Sequence, residues 1–155
     1  MLSNDILRSV RYILKANNTD LARILALGNV DATPEQIVIW LCKEEEEGVQ
    51  RCPDIVLSSF LNGLIYEKRG KDEAAPALTA ERRINNNIVL KKLRIAFSLK
   101  TDDILAILTG QLFRVSMPEI TAMMRAPDHK NFRECGDQFM RYFLRGLAAR
   151  EHAAK

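Results

Sequence analysis

Cys135 offers the sharpest chemistry in this sequence. It lies in RECGDQF, just before an amphipathic stretch, where the N–H groups of a helix start lower a thiol's pKa, and His129 stands six residues earlier as a base. Together they outline a cysteine nucleophile activated by a histidine. His129, Cys135 and Cys52 also carry nitrogen and sulfur donors for a metal, but zinc sites are built from close CxxC or HxxxH pairs and neither pattern occurs. Asp54 and Asp137 read as general acids or, because each directly precedes an amphipathic segment, as carboxylates that cap a helix. A third set is cationic: Lys91, Lys92, Arg94, Arg125, Lys130, Arg133, Arg141 and Arg145 are spaced to neutralise phosphates.

The elements that must position these residues come as two copies. Sliding the chain by 83 residues aligns 4–65 with 87–148 without a gap and gives 13 identities in 62 pairs. Leu7 meets Leu90, Arg11 meets Arg94, Asp20 meets Asp103, Cys52 meets Cys135, Asp54 meets Asp137, and Gly63 meets Gly146. Apolar residues recur at three and four residue spacing in four segments of each copy, so each reads as four short helices. Thr19-Asp20 and Thr101-Asp102 are expected to cap the second helix, Thr33-Pro34-Glu35-Gln36 and Ser116-Met117-Pro118-Glu119 the third. The fold class is all-α, a tandem duplication of a four-helix module, with the two copies packed in pseudo-twofold symmetry or strung as beads.

The modules are expected at 1–69 and 84–150, joined by a linker over 70–83 that is partly helical from Leu78 to Arg83 and followed by a disordered tail at 151–155. The mildly basic chain of 155 residues, net charge +3, has enough apolar residues for a packed core. No apolar run is long enough to span a membrane, no signal peptide is read, and three scattered cysteines suit a reducing compartment, so a cytoplasmic location is expected.

Used as an internal control, the repeat sorts the chemistry. The first copy keeps the cysteine as RCPDIVL but has Glu46 where the second has His129, so the thiol persists without its base, as a structural corner requires. Asp54 and Asp137 fall to capping by the same reasoning. Charge does not repeat: residues 84–155 hold 12 Lys and Arg against 7 Asp and Glu, or +5, whereas residues 1–83 hold 11 against 13, or −2. The acidic run Glu44–Glu47 is read as a solvated connection or a face for a basic partner. Tyr12, Phe132 and Tyr142 are candidates to stack on bases, although the second and third helices are too far apart for a helix-turn-helix.

SNDILRSVRYIL at the start, the capped third helix, and HKNFRECGDQFMRYFLRGL at 129–147 resemble the YehS-like family of small bacterial proteins, a domain of unknown function. The resemblance covers nearly the whole chain. It implies a bacterial cytoplasmic protein with the domain present twice, and it implies no activity, substrate or cofactor. The residues point to a non-enzymatic binding or adaptor protein, with nucleic acid or an acidic protein as partner of the second module. A protein–protein module or homodimer is the alternative, and a cysteine enzyme using Cys135 and His129 the third reading. No catalytic, cofactor or metal residue is assigned.

Overall fold

A computed structural model describes residues 1–43 and 50–154, and the acidic run Glu44–Glu47 lies outside the described residues. Among those described, all regular structure is helical. The chain divides into two compact units, Met1–Ile84 and Asn85–Lys155. Unit 1 holds α1 (Ser3–Leu14), α2 (Asn18–Leu27), α3 (Pro34–Leu41) and α4 (Asp54–Arg69); unit 2 holds α5 (Asn86–Ala96), α6 (Thr101–Gly110), α7 (Met117–Met123) and α8 (Asp137–Ala153). This is the four-helix module twice over.

Within unit 1, α2 packs along α4 and α1 closes against α3 and α4; within unit 2, α6 packs along α8 and α7. The core of the first joins Val10, Leu21, Ile24, Ile37, Phe60 and Leu64, and that of the second Leu93, Ile104, Ile107, Ile120, Phe143 and Leu147, all shielded from water. These are equivalent positions, and burying each such side chain contributes about 1.5–3 kcal/mol. Gly63 and Gly146 explain how close the long helices come: a Cβ on Gly63 would lie 2.0 Å from the Ile24 carbonyl oxygen, and one on Gly146 2.8 Å from that of Ile107.

The third-helix caps form as the sequence predicts, with Thr33 accepting from Gln36 N at 3.2 Å and Ser116 from Glu119 N at 3.3 Å. The second helices start earlier than expected. Asn17 and Lys100 precede their first turns, and the identical pair Asp20 and Asp103 sits inside, each accepting the backbone N–H of the residue three before it, at 3.0 and 2.7 Å. That bond and the nearby Arg150 guanidinium hold the Asp103 carboxyl below the usual aspartate value.

Helices one and two of each unit end in the same device. Lys15, Asn29, Ser98 and Leu112 take left-handed φ of 53, 66, 54 and 59°, and the residue after each donates to the carbonyl five positions back, a Schellman closure.

A buried asparagine ties each unit together. Asn4 Nδ2 donates to the carbonyls of Trp40 (3.0 Å) and Gln50 (2.8 Å), while its Oδ1 accepts Cys52 N–H at 2.8 Å. Asn87 repeats all three bonds, to Met123 (3.0 Å), Arg133 (2.9 Å) and Cys135 N–H (2.9 Å). One side chain thus joins the first helix, the end of the third and the entry to the fourth.

Two boundaries differ from the sequence reading. Residues 78–83 form no helix, because the backbone N–H groups that a helix would pair internally are taken by side chains of α4: Leu78 donates to Tyr66 Oη (2.7 Å), Glu81 to Ser58 Oγ (3.0 Å), and Ile84 to Asp54 Oδ2 (3.0 Å). At the other end α8 runs on to Ala153 rather than ending before a tail at 151, and Ala154 N–H still bonds Arg150 O at 3.2 Å.

Candidate nucleic-acid interface

The eight cations singled out in the sequence do not form one set. Lys91 Nζ donates to the Arg125 carbonyl at 3.1 Å, and in unit 1 the equivalent Arg8 donates to the equivalent Cys42 carbonyl at 2.8 Å. A cation in this place closes the C-terminus of the third helix in both copies, so Lys91 serves the fold. Arg125 reaches the Asn131 carbonyl at 3.3 Å and Arg133 pairs with Glu119 at 3.2 Å; both line a shallow cleft with Pro118, Ala122 and Phe132. Arg94 is half-buried, its Nε enclosed and without a partner among the described residues. Lys92 is half-buried and has an interaction partner, and Lys130 is exposed in the turn before α8.

Arg141 and Arg145 stand apart from these. They follow one another at i, i+4 on α8, both exposed, on the stripe Asp137, Arg141, Arg145, Ala149. Arg141 donates to the neighbouring Gln138 Oε1 at 3.3 Å, and its charge acts on Asp137 one turn earlier. The Arg145 guanidinium lies 5.2 Å from the centre of the Tyr142 ring, and Tyr142 in turn leans on Phe113, with centroids 5.3 Å apart. Phe113 also meets Phe139 edge-on at 6.0 Å, so the aromatic layer is rooted in the core.

The equivalent stripe of α4, Asp54, Ser58, Asn62 and Tyr66, is occupied. The extended segment 78–84 runs antiparallel along it, held by the three backbone N–H bonds given above and by Ser58 Oγ–H donating to Glu81 Oε2 at 2.8 Å. The lengths agree: six extended residues reach about 20 Å and twelve helical residues rise about 18 Å. In unit 2 the replacement of Ser58 and Asn62 by Arg141 and Arg145 puts two guanidinium groups on the stripe, about 6 Å apart along the axis.

The residues proposed for nucleophilic or acid chemistry are differently placed. Cys52 and Cys135 are buried, 0% and 6% exposed, and burial, with the adjacent Asp54 or Asp137 charge behind it, pushes each thiol up to about 12. A neutral thiol of this kind is the reverse of an activated nucleophile. His129 is exposed, its Nδ1 accepting Asn131 N–H at 3.0 Å. Asp54 and Asp137 do not cap their own helices. Each is the first helical residue, behind Pro53 or Gly136, and anchors the chain entering the first helix instead: Ser3 Oγ donates to Asp54 at 2.9 Å, and Asn86 Nδ2 to Asp137 at 2.8 Å. The Asn86 bond holds the Asp137 carboxyl below the ordinary aspartate value.

Sequence reasoning passed over Leu112, Phe113 and the strap at 78–84. One signal for Leu112 was available, since the repeat sets it against Asn29, a residue type that among those with a Cβ is enriched in left-handed backbone. Comparison with known proteins is consistent with the duplication. The family model described as protein of unknown function, DUF1456, matches twice, at residues 3–70 and 86–152. An uncharacterized protein of Escherichia coli (strain K12), YehS, is 88% identical over 155 residues, covering 100% of this chain and 99% of that protein. No solved structure matches.

Proposed function

The chain belongs to the DUF1456 family of proteins of unknown function, and for it we propose a binding role in which the α8 stripe of unit 2 holds a single strand of nucleic acid. The observation that carries this reading is the contrast between the two stripes. On α4 an extended strand of the protein's own chain lies along Asp54, Ser58 and Tyr66; on α8 Arg141 and Arg145, in the places of Ser58 and Asn62, stand exposed.

An extended polyanion suits that geometry. Guanidinium groups bond phosphate in a forked geometry, and each phosphate neutralised releases counterions. Tyr142, with Phe113 against it at 5.3 Å and the Arg145 guanidinium over its ring at 5.2 Å, steadies that guanidinium for a phosphate. Because Lys91, Arg125 and Arg133 are engaged within unit 2, the phosphate contacts fall to Arg141 and Arg145 rather than to the whole set of eight.

Fluorescence anisotropy of a labelled single-stranded oligonucleotide, titrated over a range of salt concentrations, tests the reading. Affinity falls steeply with salt and exceeds that for the matching duplex. Absence of binding at low salt, or equal binding to polyglutamate, overturns it.

A further inference from the structure

Leu112 is placed where folding gives no reason for a leucine. It is 96% exposed, so no packing rewards it, and its backbone is left-handed at φ 59°, which a residue with a Cβ adopts at a cost. The closure it belongs to is complete without its side chain: Leu112 N–H bonds Thr109 O at 2.9 Å and Phe113 N–H bonds Leu108 O at 3.0 Å. Unit 1 makes the same closure with Asn29 at φ 66°.

What the position has is a neighbourhood. Phe113, the next residue, lies against Tyr142, and Tyr142 lies under Arg145, so the turn that displays Leu112 adjoins the α8 stripe; Arg114, exposed, follows directly. A protein interface asks for a contiguous apolar patch. Here one aliphatic side chain projects from a turn that packs, through Phe113, against the Tyr142–Arg145 pair, and Ile95, the other exposed large apolar residue of unit 2 among the described residues, is on α5. An aliphatic tip beside cations is the arrangement by which proteins pry apart stacked bases.

We propose that Leu112 is a wedge that inserts between consecutive bases of the strand held along α8. The inference rests on the single-strand reading given above. In it, Arg141 and Arg145 hold phosphates while Leu112 fills the gap between two unstacked bases, and the left-handed backbone aims the side chain outward.

The test uses the full chain and a single-stranded oligonucleotide with one 2-aminopurine between adenines, whose emission is suppressed by stacking and is not quenched by an aliphatic neighbour. Saturating protein raises the emission. Leu112→Asn and Leu112→Gly, both suited to the backbone and so expected to fold, keep the salt dependence of binding, weaken Kd by no more than about tenfold, and abolish the rise. If the natural protein binds without any rise, or if Leu112→Asn raises emission equally, the wedge is overturned while strand binding stands. If the natural protein fails to bind at low salt, both readings fall.

Discussion

The guanidinium of Arg145 lies 5.2 Å from the centre of the Tyr142 ring, which makes a charged and aromatic pair on α8 where unit 1 carries Asn62 and Ser59. The pair sits on a scaffold whose buried bonds are repeated almost atom for atom between the units. Folding is therefore accounted for twice, and the α8 surface only once.

Asn87→Ala should destabilise unit 2 severely. It leaves Cys135 N–H and the Met123 and Arg133 carbonyls without their partner, at about 1–3 kcal/mol for each buried group that stays unpaired. Asn87→Asp should be no better, because a carboxylate cannot donate to the two carbonyls. Denaturant unfolding read by circular dichroism measures both, and Asn4→Ala should reproduce the loss in unit 1.

The strap along α4 predicts a pattern of amide exchange. Leu78, Glu81 and Ile84, whose N–H groups bond α4 side chains, should exchange slowly, whereas the exposed Lys71, Asp72, Glu73 and Ala77 exchange fast. Ser58→Ala should release Glu81 first. Uniform fast exchange from 71 to 84 would remove the strap, and with it the comparison on which the proposed site rests.

Leu112→Gly and Leu112→Asn should stabilise the protein by about 1 kcal/mol, since each relieves left-handed strain without forfeiting packing. A thermal melt would show this as a rise of about 4 °C. A fall in Tm would mean that the leucine side chain contributes to folding after all.

The buried thiols give a pH dependence with a definite sign. Cys52 and Cys135 titrate near 12 when folded, against a model-peptide value of about 8.5, so the unfolded chain loses these protons first. Stability is intact below the unfolded value and declines as pH rises from there toward 12, by up to about 1.4 kcal/mol per unit for each thiol. Melts between pH 8 and 11 should show the decline, and Cys52→Ala with Cys135→Ala should flatten it.

How far the sequence foretold this depends on which residues repeat. Apolar spacing and the identical pairs Cys52 with Cys135 and Gly63 with Gly146 made the double module and its core legible. Asp54 and Asp137 look like helix caps because they precede apolar stretches, but each stands at the first helical position and bonds Ser3 or Asn86. Lys91 looks like part of the charge peculiar to the second copy because Arg8 and Lys91 differ in name, although they do one job. The strap lies outside the repeat, and backbone handedness at Leu112 leaves no trace in hydrophobic periodicity.

The proposed role puts the strand on the α8 stripe and not on basic charge in general. Two double variants of equal charge change decide it: Arg141→Glu with Arg145→Glu on the stripe, and Lys130→Glu with Arg133→Glu on the connection before α8. The measurement is the slope of log affinity against log salt for a single-stranded oligonucleotide. The stripe variant should lose about 1.4 from that slope, two phosphates at about 0.7 each, and bind at least tenfold more weakly at low salt, while the connection variant keeps the slope of the natural protein. Equal losses in the two variants would contradict the account.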